Sequence, residues 1–187
     1  VGSDGTAPFG CPLVGDYNRW NMSLAWNCAK MFGVTEDMAQ SALEGFVLPG
    51  DRWRKSERNG VAFISDCYNA NPTSMIVALE TFAAEPCEGR RIAVLGDMFE
   101  LGEDEVRLHE EIGRHIEETD IDVVICVGKL SQNIKPQGKT VYYFNTLDDF
   151  FGRIEELISK IRSKSVLYLN ANCSVEVTNK TFLLEIS

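Results

Sequence analysis

Histidine is almost missing from this chain, with two in 187 residues, and basic side chains are outnumbered by acidic ones, 18 to 28. The scarcity narrows the available chemistry. His109 and His115 fall on one predicted helix, but their spacing puts them on different faces, so they do not pair as metal ligands. No Ser-His-Asp or Cys-His arrangement can be assembled. A formal charge of −10 repels nucleic acid and anionic membrane, so neither is an expected partner, and a phosphate-bearing ligand requires a local positive patch. No apolar run approaches a membrane span and no signal-peptide pattern opens the chain. The six cysteines include no C-x-x-C pair and are too sparse for a disulfide framework, so reduced thiols in a cytoplasmic protein are expected. Phosphate-binding glycine motifs are missing too. There is no G-x-G-x-x-G, and Gly138-Lys139-Thr140 is not a P-loop: Asn133 stands where the earlier glycine belongs, and Thr140 is predicted to open a strand where a helix is needed.

Apolar residues make up 44% of the chain, enough for a substantial core. Residues 1–18, rich in Gly, Pro and Asp, predict a hairpin or loop. Trp20, Leu24, Cys28 and Met31 recur at three- and four-residue spacing and predict a helix over 20–32, ended by Gly33. Thr35 is placed to cap a second helix reaching about residue 43, with Glu36 and Asp37 in its first turn. The break at Leu48-Pro49-Gly50-Asp51 predicts a boundary between domains 1–49 and 50–187. Beyond it the pattern alternates. Strands are predicted at 61–64, 91–95, 122–127, 141–144, 165–169 and, more weakly, 182–186, with helices at 73–84, 103–118 and 147–161. Near-continuous apolar strands between amphipathic helices predict an α/β fold, a mostly parallel sheet with helices on both faces. Trp20, Trp26 and Trp53 read as packing residues.

Polar residues concentrate where predicted strands give way to helices, the edge at which α/β sheets bind ligands. Asp66-Cys67-Tyr68-Asn69-Ala70-Asn71-Pro72 follows the strand at 61–64. Asn71 or Thr73 can cap the following helix with Pro72 in its first turn, or the crowd of acid, tyrosine and amides serves a ligand. Gly96-Asp97-Met98-Phe99-Glu100-Leu101-Gly102 follows the next strand. Asp97 and Glu100 either hold an amine, metal or ribose, or belong to an acidic helix-entry loop. Arg52, Arg54, Lys55 and Arg58 form either a solvated linker or a phosphate contact on a mobile domain. Arg52 and Asp66 are both expected as solvent-facing loop residues.

Three motifs in order, Asp66-Cys67-Tyr68-Asn69-Ala70-Asn71-Pro72-Thr73-Ser74-Met75, Leu95-Gly96-Asp97-Met98 with Glu100-Leu101-Gly102, and Leu108-His109 with Ile112-Gly113, resemble the Mur ligase family. Within it they are most similar to the member that adds D-alanyl-D-alanine to UDP-N-acetylmuramoyl-tripeptide. Upstream, Gly15-Asp16-Tyr17-Asn18 with Asn21 looks like the end of the family's central ATPase domain, and Pro49-Gly50-Asp51-Arg52 like its hinge. The resemblance implies a helical and loop remnant of the central domain followed by a Rossmann-like C-terminal domain; the sequence does not set the oligomeric state, and a monomer is the expectation. Its substrates would be ATP with Mg2+, UDP-MurNAc-tripeptide and D-Ala-D-Ala. Asn18 and Asn21 would approach adenine, Arg52 the nucleotide phosphates and Asp66 the ribose, with Tyr68, Asn69 and Asn71 in the loop beside it. Asp97 and Glu100 would face the dipeptide cleft. The family's phosphate loop, metal ligands and modified lysine lie upstream of the matching segment, so no catalytic or metal residue is expected here. The opening Val1-Gly2-Ser3 suggests an excised fragment, expected to be inactive alone.

Two departures accompany the resemblance. Tyr17 stands where the family uses histidine, and Leu169-Asn170-Ala171-Asn172-Cys173 replaces a Lys-Gly-Ser-Arg segment. They leave a second expectation open, a non-catalytic Mur-ligase-like module kept for interaction or scaffolding.

Overall fold

The computed structural model describes residues 7–46, 51–58, 60–67, 69–153, 157 and 164–170. The chain divides into two compact units between residues 49 and 50.

In the first unit, helix α1 spans Asp16–Met31. It begins before Trp20 because the polar turn at its start suits a helix N-terminus: Asp16 meets the positive end of the helix dipole, as Lys30 meets the negative end. The described residues before it form a loop without a strand. That loop is pinned to the helix by Ser23, whose hydroxyl accepts from Ala7 N–H at 3.2 Å and donates to Arg19 O at 2.8 Å. Phe9 meets Trp26 edge-on at 5.3 Å, and Lys30 lies over the same indole. Trp26 is buried, whereas Trp20, Leu24 and Met31 are exposed. The apolar spacing therefore identifies the helix, and within this chain it is Trp26 rather than Trp20 that is buried. Gly33, at φ +82°, turns the chain out of α1. Thr35 then caps α2 (Glu36–Leu43) by accepting from Met38 N–H.

The second unit is built on a six-stranded sheet. Its strands are β1 (Asp51–Arg58), β2 (Val61–Cys67), β3 (Arg91–Gly96), β4 (Val123–Val127), β5 (Thr140–Phe144) and β6 (Val166–Asn170), in the spatial order β1-β2-β6-β3-β4-β5. Among the described strands only β1 runs antiparallel, against β2; the other pairings are parallel. The charged stretch, read from sequence as either a linker or a phosphate contact, is thus an edge strand. Exposed charge on an edge blocks pairing with other chains, and Lys55 also reaches Glu85 at 2.7 Å.

Alternate residues of the central strands enter different cores because both faces of the sheet are covered. On one face Ile64, Ala93, Leu95, Val124, Cys126 and Tyr168 pack with residues of α3 (Pro72–Ala83) and α4 (Glu105–Glu117). On the other, Phe63, Val94, Ile125, Leu167 and Leu169 pack with Phe150 of α5 (Leu147–Phe151) and with Leu157. A 3-10 turn, Gly102–Asp104, precedes α4 at the start of the helix predicted over 103–118. Thr140 opens β5, so Gly138-Lys139 leads into a strand. Most of the predicted helix after residue 153 and the strand predicted at 182–186 lie outside the described residues.

Candidate functional site

Parallel pairing brings the carboxyl ends of β2, β6, β3, β4 and β5 to one edge. Asp66 is the penultimate residue of β2 and half-buried, not a solvent-facing loop residue. Ile64 pairs with Tyr168 and Ser65 with Leu169. Side chains alternate along strands, so Asp66 shares a sheet face with Ile64 and meets Tyr168 and Asn170 on the neighbouring strand. Tyr168 Oη donates to Asp66 Oδ2 at 3.0 Å, and Asn170 Nδ2 lies 3.5 Å from the same oxygen. Asn170 Nδ2 also donates to Tyr168 Oη at 2.7 Å.

The edge strand completes this cluster. The pairing register of β1 shifts between Asp51 and Arg54, and Trp53 within the shift has φ +49°. The backbone N–H of Trp53 hydrogen-bonds the Asp66 carboxylate, and the positive charge of exposed Arg52 acts on it. The Trp53 ring lies 5.6 Å from that of Tyr168, whose other neighbour is Phe82, stacked at 5.2 Å. Burial raises the Asp66 pKa above the ordinary carboxylate value; the bonds from Tyr168 and Trp53 and the charge of Arg52 oppose the shift without cancelling it. Burial, followed by the Asp66 charge, holds the Tyr168 phenol well above its ordinary range.

Asp97 follows β3, and both of its oxygens are engaged. Oδ1 accepts from Ser131 N–H at 2.7 Å and Oδ2 from Lys129 N–H at 3.1 Å, so the carboxylate fastens its loop to the loop after β4. Glu100, in the same loop, is exposed and adopts φ +62°. The loop is also tied from below. Fully buried His109 accepts from Met98 N–H through Nε2 at 3.0 Å and faces Glu105 O through Nδ1 at 2.6 Å. Those partners require the tautomer with its proton on Nδ1. His115 lies 3.5 Å from Glu80 of α3, so the two histidines serve different contacts.

Asn71 is the N-cap of α3. Its Oδ1 accepts from Ser74 N–H at 2.9 Å while Ser74 Oγ accepts from Asn71 N–H, a reciprocal capping box ahead of Pro72. Asn69 is exposed, and Tyr68 lies outside the described residues. In the first unit, Asn18 is buried and donates through Nδ2 to Val14 O at 2.7 Å, and Asn21 is exposed.

The family model described as "Mur ligase, glutamate ligase domain" matches residues 52–169. The chain belongs to the Mur ligase family. Among curated relatives of this Mur ligase chain is the UDP-N-acetylmuramoyl-tripeptide--D-alanyl-D-alanine ligase of Bacillus subtilis, 36% identical over 123 residues, covering 65% of this chain and 27% of that protein. A crystal structure of MurF from Acinetobacter baumannii superposes with TM-score 0.80 at 25% identity, covering 94% of this chain and 38% of that one. The MurF ligase of Thermotoga maritima in complex with ADP shares the fold, with TM-score 0.74 at 24% identity, covering 90% and 38%. The chain therefore spans about a third of the length of the Mur ligases it matches.

Within this Mur ligase unit Arg52, Trp53, Asp66, Tyr168 and Asn170 come together, although only Arg52 and Asp66 are predicted site residues. Tyr168 and Asn170 do carry a sequence signal. Two polar side chains spaced two apart at the carboxyl end of an apolar strand share one face and need polar partners there.

Proposed function

We propose that this chain forms the C-terminal part of a MurF-type ligase, which adds D-alanyl-D-alanine to UDP-N-acetylmuramoyl-tripeptide in peptidoglycan synthesis in the cytoplasm. Residues 1–49 would end its central ATP-binding domain and residues 50–187 form its C-terminal domain. The observation that carries the reading is the Asp66 carboxylate, held at the carboxyl edge of the sheet with Arg52 beside it, in a chain of this family. The names of the B. subtilis relative and the ADP complex of the T. maritima enzyme support the substrate and the nucleotide.

In this reading Asp66 accepts hydrogen bonds from the ribose hydroxyls and Arg52 meets the phosphates, for which a guanidinium fork is suited. Asn18 and Asn21 approach adenine, and Tyr68, Asn69 and Asn71 border the nucleotide loop. Glu100 presents an exposed carboxylate to the dipeptide amine, and Asp97 shapes that side of the cleft by holding its loop. ATP phosphorylates the tripeptide carboxylate and leaves as ADP. The dipeptide amine then attacks the acyl carbon, expelling phosphate and forming the amide. This chain contributes position rather than proton transfer. Magnesium neutralises phosphate charge in such reactions, but among the described residues no three His, Cys, Asp or Glu side chains gather as a metal site, so it is assigned no ligand here. In this reading the triphosphate site belongs to the central domain of the enzyme, and this chain alone does not ligate.

A second reading, a non-catalytic interaction module, draws support from Leu169-Asn170, uncharged residues at the end of β6 where the family carries Lys-Gly-Ser-Arg. Assay of the complete protein with ATP, UDP-MurNAc-tripeptide and D-Ala-D-Ala separates the two. The ligase reading expects product, with Arg52→Ala and Asp66→Ala each lowering kcat/KM for ATP about tenfold or more, the size of one lost charged hydrogen bond. No product favours the module, and product formed equally by both variants removes these residues from the site.

A further inference from the structure

Asp66 is held by groups to which the ligase reading gives no role. The hydrogen bonds have a direction. Asn170 Nδ2 donates to Tyr168 Oη at 2.7 Å, which commits the phenol's single proton to Asp66 Oδ2 at 3.0 Å. Both contacts from β6 converge on Oδ2, and neither uses Oδ1. The phenol has no freedom to leave: Tyr168 is fully buried, with Trp53 and Phe82 against its ring. Trp53 in turn brings its backbone N–H to the same carboxylate.

We propose that Tyr168 and Asn170 are positioning residues for Asp66, fixing Oδ2 and with it the orientation in which the carboxylate meets the ribose hydroxyls of the nucleotide. The proposal rests on the reading of Asp66 as the ribose ligand. A carboxylate free to rotate loses conformational freedom when it binds, whereas one already held does not, so the clamp strengthens nucleotide binding without touching the nucleotide. It also makes ribose recognition depend on β6, the strand that supplies both Tyr168 and Asn170.

The test is Tyr168→Phe in the complete ligase, a substitution that keeps the stacked ring and removes the donor. The expected result is a KM for ATP raised about tenfold, with KM for D-Ala-D-Ala unchanged. The preference for ATP over 2′,3′-dideoxy-ATP should shrink by the same factor, a readout that general loosening of the fold does not move selectively. Asn170→Ala, which frees the phenol proton from its direction, should shift both quantities the same way by less. Unchanged ATP KM and ribose preference in a Tyr168→Phe protein that melts like wild type overturn the proposal. If that variant does not fold, Asn170→Ala decides on the same readouts. Failure of the underlying reading looks different: wild type then shows no ribose preference, or Asp66→Ala leaves it intact.

Discussion

The Asp97 carboxylate fills the space where a side chain on Gly128 would begin. A Cβ at Gly128 would lie 2.1 Å from Asp97 Oδ1 and 2.4 Å from its Cγ, and the glycine sits at φ +136°, which side chains rarely adopt. The glycine after β4 is thus the condition for Asp97 to reach Lys129 N–H and Ser131 N–H.

Gly128→Ala should therefore destabilise the second unit by about 3 kcal/mol, combining backbone strain with displaced hydrogen bonds to a charged group. In an Asp97→Ala background the same change should cost distinctly less, because the clash is already gone. Urea denaturation of the four proteins measures the coupling. Additive losses would show that the carboxylate and the glycine do not compete.

The raised pKa of Asp66 gives a stability prediction. Between the ordinary value of 3.8 and the higher native value, the folded state retains a proton that the unfolded state has lost. Stability from this group therefore falls as pH rises through that window, and above it the ionised carboxylate carries its full burial penalty. Asp66→Asn should unfold at higher urea than wild type at neutral pH, and the advantage should close as pH falls through the window. An advantage that persists below it would point to another cause.

Asn71 has two roles to separate. Asn71→Ala removes the cap of α3 and should cost about 1 kcal/mol, whereas Asn71→Asp retains an acceptor for Ser74 N–H and should be close to neutral in a thermal melt. If Asn71 also meets the nucleotide, Asn71→Asp should raise KM for ATP in the complete ligase at unchanged Tm. An unchanged KM would leave only the cap.

Thiol reactivity should follow burial. The Cys126 thiol is pushed up to about 12, by burial first and then by the Asp97 charge, while Cys28 is exposed. Alkylation at pH 8 followed by mass spectrometry should label Cys28 early and Cys126 only on unfolding. Early labelling of Cys126 would mean that the core around β4 opens.

Much of this was readable before folding. The apolar strands around Phe63, Val94 and Ile125 and the caps at Thr35 and Asn71 are local signals, and the α/β class follows from them. What escaped depends on distant partners. Charge hides β1, because an edge strand keeps Arg52, Arg54 and Lys55 in solvent and so imitates a linker. Trp20 lies on a regular apolar spacing, yet spacing cannot tell which side of α1 is covered. Asp66 looks like a loop acid until Tyr168, 102 residues later, arrives beside it. Asp97 likewise resembles a ligand-facing acid until the amides of Lys129 and Ser131 are seen to take both its oxygens.

The place of β6 has a bearing on synthesis. It is the last strand described along the chain, yet it lies between β2 and β3 and bonds to both. During translation, everything through Ser165 precedes it, and the β1–β2 hairpin and the β3–β4–β5 block each wait with an open edge. Joining strands so distant in sequence is slow, and open edges invite misassociation. A chain broken off before Val166 leaves two half-sheets and an Asp66 without its clamp. The carboxyl edge around Asp66 is therefore complete only once β6 has inserted between β2 and β3.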